Sequence, residues 1–105
     1  LDIPRMAEIT IKMLKDSTDA FINEDVGLAR NVCERDNTVD DLKDQILREL
    51  ITFMTSDTTT IERALHLLRI SGNLERIADL STNICEGIIF TTKGKVIKHH
   101  ALDGE

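Results

Sequence analysis

The chain has 105 residues, 30% charged and 41% hydrophobic, with 3% aromatic residues, one Pro, five Gly and two Cys. That length fits one domain with a single core, and the regular apolar residues exclude a disordered chain. Few Gly and Pro argue against a turn-rich β fold, and a net charge of −6 from 19 acidic and 13 basic residues leaves no basic face for nucleic acid. No apolar run approaches a membrane span and no secretory signal is visible, so any membrane contact is expected to be peripheral and the setting cytoplasmic. Two cysteines 52 positions apart make no zinc or disulfide framework and suit a reducing compartment. The chain begins with Leu1 rather than Met, which reads as a fragment or a trimmed chain.

The first helix is expected over 3–21. Pro4 suits a first turn, where its missing N–H has no partner to lose, and Asp2 precedes it as a cap. Met6, Ile9, Met13 and Ala20 form its inward stripe, with Ala7, Leu14 and Phe21 beside it. The polar stretch Asn23-Glu24-Asp25 turns the chain. A second helix is expected over 24–54, on the 3–4 spacing of Leu28, Val32, Val39, Leu42, Ile46 and Phe53, widened by Leu47, Leu50 and Met54. Thr55-Ser56-Asp57 breaks the pattern, and Asp57 or a nearby Thr caps the next helix. The third helix is expected over 58–92, with Ile61, Ala64, Leu65, Leu68, Ile70, Leu74, Ile77, Ile84 and Ile88 inward, Gly72 as a close-packing site and Gly94 as the stop. A loose tail is expected over 95–105. The fold class is all-α, an elongated antiparallel three-helix bundle whose long helices span about 45 Å.

Acidic residues recur at helical spacing. Asp36 and Asp40 are four apart, and so are Glu75 and Asp79. Residues at i and i+4 share a face, where two like charges repel by a few tenths of a kcal/mol and a bound cation reverses the sign. Asp40 and Asp36 lie 16 and 20 residues before Ser56; Glu75 and Asp79 lie 19 and 23 after it. In an antiparallel hairpin the two pairs fall within about 4.5 Å of one height. Four carboxylates can therefore converge on one flank. Oxygen donors of this kind suit iron, manganese, magnesium or calcium, and Asn83 and Glu86 could add two more. The competing reading is a solvated acidic face paired with Lys43, Arg35 or Arg76. Cys33 shares the flank and Cys85 lies on the third helix; both read as small buried side chains set too far apart in height for a disulfide.

The segment Asn73-Leu74-Glu75-Arg76-Ile77-Ala78-Asp79-Leu80-Ser81-Thr82-Asn83-Ile84-Cys85-Glu86 resembles the signature of the PhoU family of phosphate-transport regulators. Glu34-Arg35-Asp36-Asn37-Thr38-Val39-Asp40 resembles its companion motif. Thr60-Ile61-Glu62-Arg63-Ala64-Leu65 and the stretch from Ile88 to His100 fit as well. The resemblance is to the second of two three-helix repeats. It implies that Asp36, Asp40, Glu75 and Asp79 bind a multinuclear iron cluster at the bundle surface. Leu80 stands where many members carry His, which leaves a nitrogen ligand there without support. The resemblance further implies a repressor of the phosphate-starvation response, working through the phosphate ABC transporter and a membrane sensor histidine kinase.

No nucleophile has a base beside it and no Gly-rich phosphate loop is present, so an adaptor is expected rather than an enzyme. Two further readings stand beside it. His66, in His66-Leu67-Leu68-Arg69-Ile70-Ser71-Gly72, loosely matches a histidine phosphotransfer site. A metal-free coiled-coil module would need none of the carboxylates. An open groove along a three-helix bundle predicts a homodimer.

Overall fold

A computed structural model describes the backbone of residues 1–103 and the side chains of residues 1–95. Helix α1 runs Ile3–Asn23, α2 Val26–Glu34, α3 Asp36–Ser56 and α4 Ile61–Asp103, with a 3-10 turn over Thr58–Thr60 before α4. Three antiparallel segments result: α1, then α2 continued by α3, then α4. The Leu1 ammonium lies 4.0 Å from Glu49 near the end of α3, and Lys95 Nζ lies 2.7 Å from Glu24 just past the end of α1. Thus α1 and α4 run the same way and the α2–α3 segment returns between them. The molecule is a rod 71 Å long, and α4 is its spine, packed against α1, α2 and α3 in turn.

Caps explain the turns. Glu24 adopts a left-handed conformation with φ 51°, and its N–H closes the end of α1. The Asp25 carboxylate then accepts from Leu28 N–H and starts α2. Asp57 accepts from Thr59 N–H at the second turn. Asp2 occupies the cap position of α1 but makes no side-chain capping bond; Pro4 sits in that first turn.

The expected second helix is interrupted. Arg35 N–H bonds Val32 O and Thr38 N–H bonds Arg35 O, both three residues apart, so the winding tightens there for one residue. Asp36 thereby becomes the first residue of α3. The expected stop at Gly94 and the loose tail after it are also corrected. No glycine among the described residues has positive φ, so Gly94 makes no left-handed cap, and the helix continues through Asp103. The Lys95–Glu24 contact ties this extension to the turn after α1. Residues 104–105 lie outside the described chain, as do the side chains of Val96, Ile97, His99 and His100.

The core runs along the rod at 3–4 spacing: Met6, Met13 and Ala20 of α1, Ala29 and Val32 of α2, Val39, Leu42, Ile46 and Leu50 of α3, and Ala64, Ala78, Cys85 and Ile88 of α4. Thr10, Ser17, Ser71 and Ser81 are buried among them. Their hydroxyls donate to carbonyls of their own helices, to Ala7, Leu14, Leu68 and Ile77, so none of these four side chains is stranded. The inward stripe expected for α4 holds at Ala64 and Ile88, with Leu68 and Leu74 packed against the core, and is rotated by one residue elsewhere. Ile61, Leu65, Ile70 and Ile84 are exposed, because small residues at 64, 71, 78 and 85 let the neighbouring helices approach the spine. Phe21 and Phe53, expected inward or beside the core, are also exposed. Gly72 is not a close-packing site, since a Cβ there would meet open space.

Candidate metal centre

The acidic flank lies between α3 and α4. Core residues Val39, Leu42 and Ile46 turn one side of α3 inward, which leaves Asp36, Asp40, Lys43 and Leu47 along its edge. On α4, burial of Ser71, Ala78 and Cys85 places Glu75, Asp79, Thr82 and Glu86 along the facing edge. The antiparallel register brings the two edges together. Asp36 is held above the usual carboxylate range, first by burial and then by the charges of Asp40, Asp79, Glu75 and Glu86. Asp40 is raised by burial and by Glu75, Asp79 and Asp44, with Lys43 working the other way. All four expected carboxylates and Glu86 therefore share one electrostatic neighbourhood. Asn83 does not; it lines the groove on the α1 side of α4.

Two contacts define the state of this flank. Lys43 Nζ donates to Glu75 Oε1 at 2.7 Å, with both side chains partly open to solvent. Asp36 Oδ1 is buried and has no hydrogen-bond partner. Arg35 is turned away from the cluster, pairing with Asp16 at 2.7 Å and with Asn31. Among the described residues, no three His, Cys, Asp or Glu side chains are drawn together tightly enough to hold a metal ion. Glu75 is engaged by Lys43 instead.

The thiols beside the cluster are protonated at neutral pH. Burial, Glu86 and Asp36 push Cys33 above its ordinary value, and burial pushes Cys85 up to about 11. Both are free; Cys33 Sγ donates to Thr82 O at 4.0 Å. His66 is exposed near the start of α4.

The opposite flank of α4 differs in kind. Between α1 and α4 lies a groove with a cavity of about 580 Å³, lined by Thr18, Phe21, Ile84, Gly87, Ile88 and Thr91 among others. At helical spacing it continues along α1 through Leu14 and Ile11, and along α4 through Ile77 and Ile70.

Residues 3–88 match the PhoU domain family. The chain belongs to the PhoU family. It is similar to the phosphate-specific transport system accessory protein PhoU homolog 2 of Thermotoga maritima, 40% identical over 92% of this chain and 41% of that protein. It is 41% identical to the PhoU homolog of Aquifex aeolicus, over 94% of this chain and 45% of that protein. The crystal structure of PhoU from Pseudomonas aeruginosa superposes with a TM-score of 0.84 at 36% identity, covering 87% of this chain and 44% of that one. The chain thus spans less than half the length of these relatives. That match bears out the all-α helical bundle expected from spacing.

The break at Arg35 is the structural feature of the site that periodicity missed. Its signal was present, because Asp36-Asn37-Thr38 is a run of residue types that favour helix N-termini and turns over helix interiors. The break sets Asp36 at the head of α3.

Proposed function

We propose that this PhoU domain is a metal-binding helical adaptor that restrains phosphate uptake and the phosphate-starvation response, acting on the phosphate ABC transporter and a sensor histidine kinase. The observation that supports it is the identity of about 40%, across nine-tenths of the chain, to proteins named phosphate-specific transport system accessory proteins. The adaptor works at the cytoplasmic side of the membrane without entering it; no helix among the described residues is long and apolar enough to cross.

The acidic flank suits a hard cation. Its donors are all oxygen, burial and neighbouring charges raise the proton affinity of Asp36 and Asp40, and one oxygen, Asp36 Oδ1, is buried without a partner. In our reading Asp36, Asp40, Glu75 and Asp79 hold the metal, with Glu86 beside them, and iron is the first candidate, ahead of manganese, magnesium or calcium. The metal supplies the positive charge that cancels the repulsion and fastens α3 to α4. A second copy covers the largely apolar α1–α4 groove, which has Glu24 in its lining. A two-fold pairing there would join apolar stripes and leave the acidic flanks pointing outward, which suits a chain of net charge −6.

The test is metal content by plasma mass spectrometry on the untagged chain and on its Asp36→Ala/Asp79→Ala double variant. Stoichiometric metal in the first and none in the second, with the helical circular dichroism unchanged, supports the site. In parallel, each protein is expressed in a bacterium lacking its own PhoU protein and carrying a phosphate-starvation reporter. Repression at high phosphate by the chain and not by the variant supports the adaptor; equal repression by both removes the metal from the function.

A further inference from the structure

Between its two flanks α4 has an outward ridge. Burial of Ala64, Ser71, Ala78 and Cys85 fixes the inward side of the helix. The opposite side carries His66, Arg69, Asn73, Arg76 and Leu80 at steps of three and four residues, with Phe90 further along the same row. All six are exposed. Arg69 and Arg76, about 10 Å apart along the helix, enter none of the ion pairs among the described residues. Leu80 is 59% and Phe90 79% exposed, where a helix face meant for water alone carries polar side chains. The acids of this stretch, Glu75, Asp79 and Glu86, all stand on the neighbouring flank. The ridge is therefore free of negative charge from residue 66 to residue 90, in a chain of net charge −6.

We propose that this ridge is a docking surface for an acidic amphipathic helix of a partner protein, with carboxylates on Arg69 and Arg76 and apolar side chains on Leu80 and Phe90. Neither the metal reading nor the pairing of copies is needed for it. Arginine suits the role, because its planar guanidinium takes a carboxylate through two parallel hydrogen bonds. The apolar pair supplies contact area, and the charges set register and rate of encounter. The shape of the charge selects the class of partner. The ridge is about 36 Å long and one residue row wide, and a helix about 10 Å across meets one such row. A flat anionic membrane spreads over both neighbouring rows and brings its headgroups within a Debye length of about 8 Å of Asp79 and Glu86. A second copy has its acids clustered on the α3–α4 flank, and that flank against this ridge is a head-to-tail contact, which grows into rings or open chains.

The probe is a pair of fluorescein-labelled helical peptides long enough to span about 30 Å, each with a leucine stripe, one with glutamate beside the stripe and the other with glutamine. Fluorescence anisotropy follows their binding to the untagged chain at low salt. The glutamate peptide should bind saturably, and the glutamine peptide about tenfold more weakly or worse. Arg69→Glu/Arg76→Glu should lose about tenfold or more in affinity for the glutamate peptide. Arg5→Glu/Lys12→Glu makes the same change of net charge on α1 and should stay within about threefold of the parent. Leu80→Asn should weaken the glutamate peptide several-fold, and the helical circular dichroism of every variant should match the parent. Equal binding of the two peptides, an equal loss in the two charge variants, or no saturable binding overturns the proposal. Two further measurements test the other occupants. The parent should not sediment with phosphatidylserine–phosphatidylcholine vesicles; sedimentation that Arg69→Glu/Arg76→Glu abolishes puts a lipid surface in place of the helix. Self-association seen by analytical ultracentrifugation should survive Arg69→Glu/Arg76→Glu; its loss puts a second copy on the ridge and equally overturns the proposal.

Discussion

Glu75, Asp79 and Glu86 leave α4 on one side of the core, and Ile70, Ile77 and Ile84 leave it on the other. The two flanks share the same buried ridge of Ala64, Ser71, Ala78 and Cys85, yet each is unfinished in its own way. The acidic flank has its polar groups in place and lacks positive charge: Lys43 answers Glu75, and Asp36 Oδ1 answers to nothing. The opposite flank presents apolar area, with Phe21 67% and Ile70 45% exposed. A spine helix with small core residues permits this arrangement. Ile88 joins the core and Leu67, Leu68, Leu74 and Ile89 pack against it, while Ile70 and Ile84 stand exposed on one edge and the carboxylates on the other.

Core and flank isoleucines should respond very differently to truncation. Ile46 is fully buried on α3, so Ile46→Ala is expected to destabilise the domain by about 2–5 kcal/mol. Ile84 is 37% exposed beside the groove, and Ile84→Ala should cost the isolated monomer less than about 1 kcal/mol. Urea denaturation at concentrations where the chain is monomeric measures both. Equal losses would mean that the α1–α4 flank belongs to the core.

On the acidic side, the proposed metal site predicts that Asp79→Asn weakens metal binding by roughly a hundredfold or more, since it exchanges a proposed carboxylate ligand for an amide of the same shape. Manganese titration reads this directly, and the far-ultraviolet dichroism should not move. On the apolar side, the proposed pairing predicts that Leu14→Lys with Ile84→Lys abolishes self-association at micromolar concentration, as seen by analytical ultracentrifugation, and leaves metal binding alone. The pair of experiments separates the flanks. A variant of one side that alters the other would show that the ridge couples them.

The flanks were not equally legible in the sequence. The i, i+4 spacing of Asp36 with Asp40 and of Glu75 with Asp79, counted outward from Ser56, placed the carboxylates on facing edges, because helix geometry and a short turn fix height and side together. The apolar flank was misread as core. Ile70, Ile77 and Ile84 repeat every seven residues, and so do Ser71, Ala78 and Cys85 one position later. Hydropathy favours the first set; close approach of helices favours the second. Thr10 and Ser17 were missed on α1 for a related reason. They occupy inward positions, and their hydroxyls are satisfied by Ala7 and Leu14 carbonyls that composition cannot reveal. The choice among Lys43, Arg35 and Arg76 as partner for the acids was likewise open in the sequence. In the fold the Arg35 guanidinium pairs with Asp16 of α1 and Lys43 with Glu75.

The smallest expected effect concerns Asp36 without metal. Its proton affinity is raised in the fold by burial and by four neighbouring carboxylates. The folded domain therefore binds this proton more tightly than the unfolded chain does, and ionisation of Asp36 works against the fold as pH rises above the ordinary carboxylate range. Asp36→Asn should then stabilise the metal-free domain at pH 7.5 by roughly 0.2–0.5 kcal/mol, the scale of a like-charge helical pair. The advantage should shrink toward zero as pH falls to about 4, where the parent carboxyl regains its proton. One effect opposes this. Asp36 is the first residue of α3, where the helix N-terminus favours a negative charge by about 0.3–1 kcal/mol. Urea melts at the two pH values decide between them. A loss of stability in Asp36→Asn at pH 7.5 would show that the helix terminus outweighs the crowded carboxylates, and that the acidic flank is at ease without a cation.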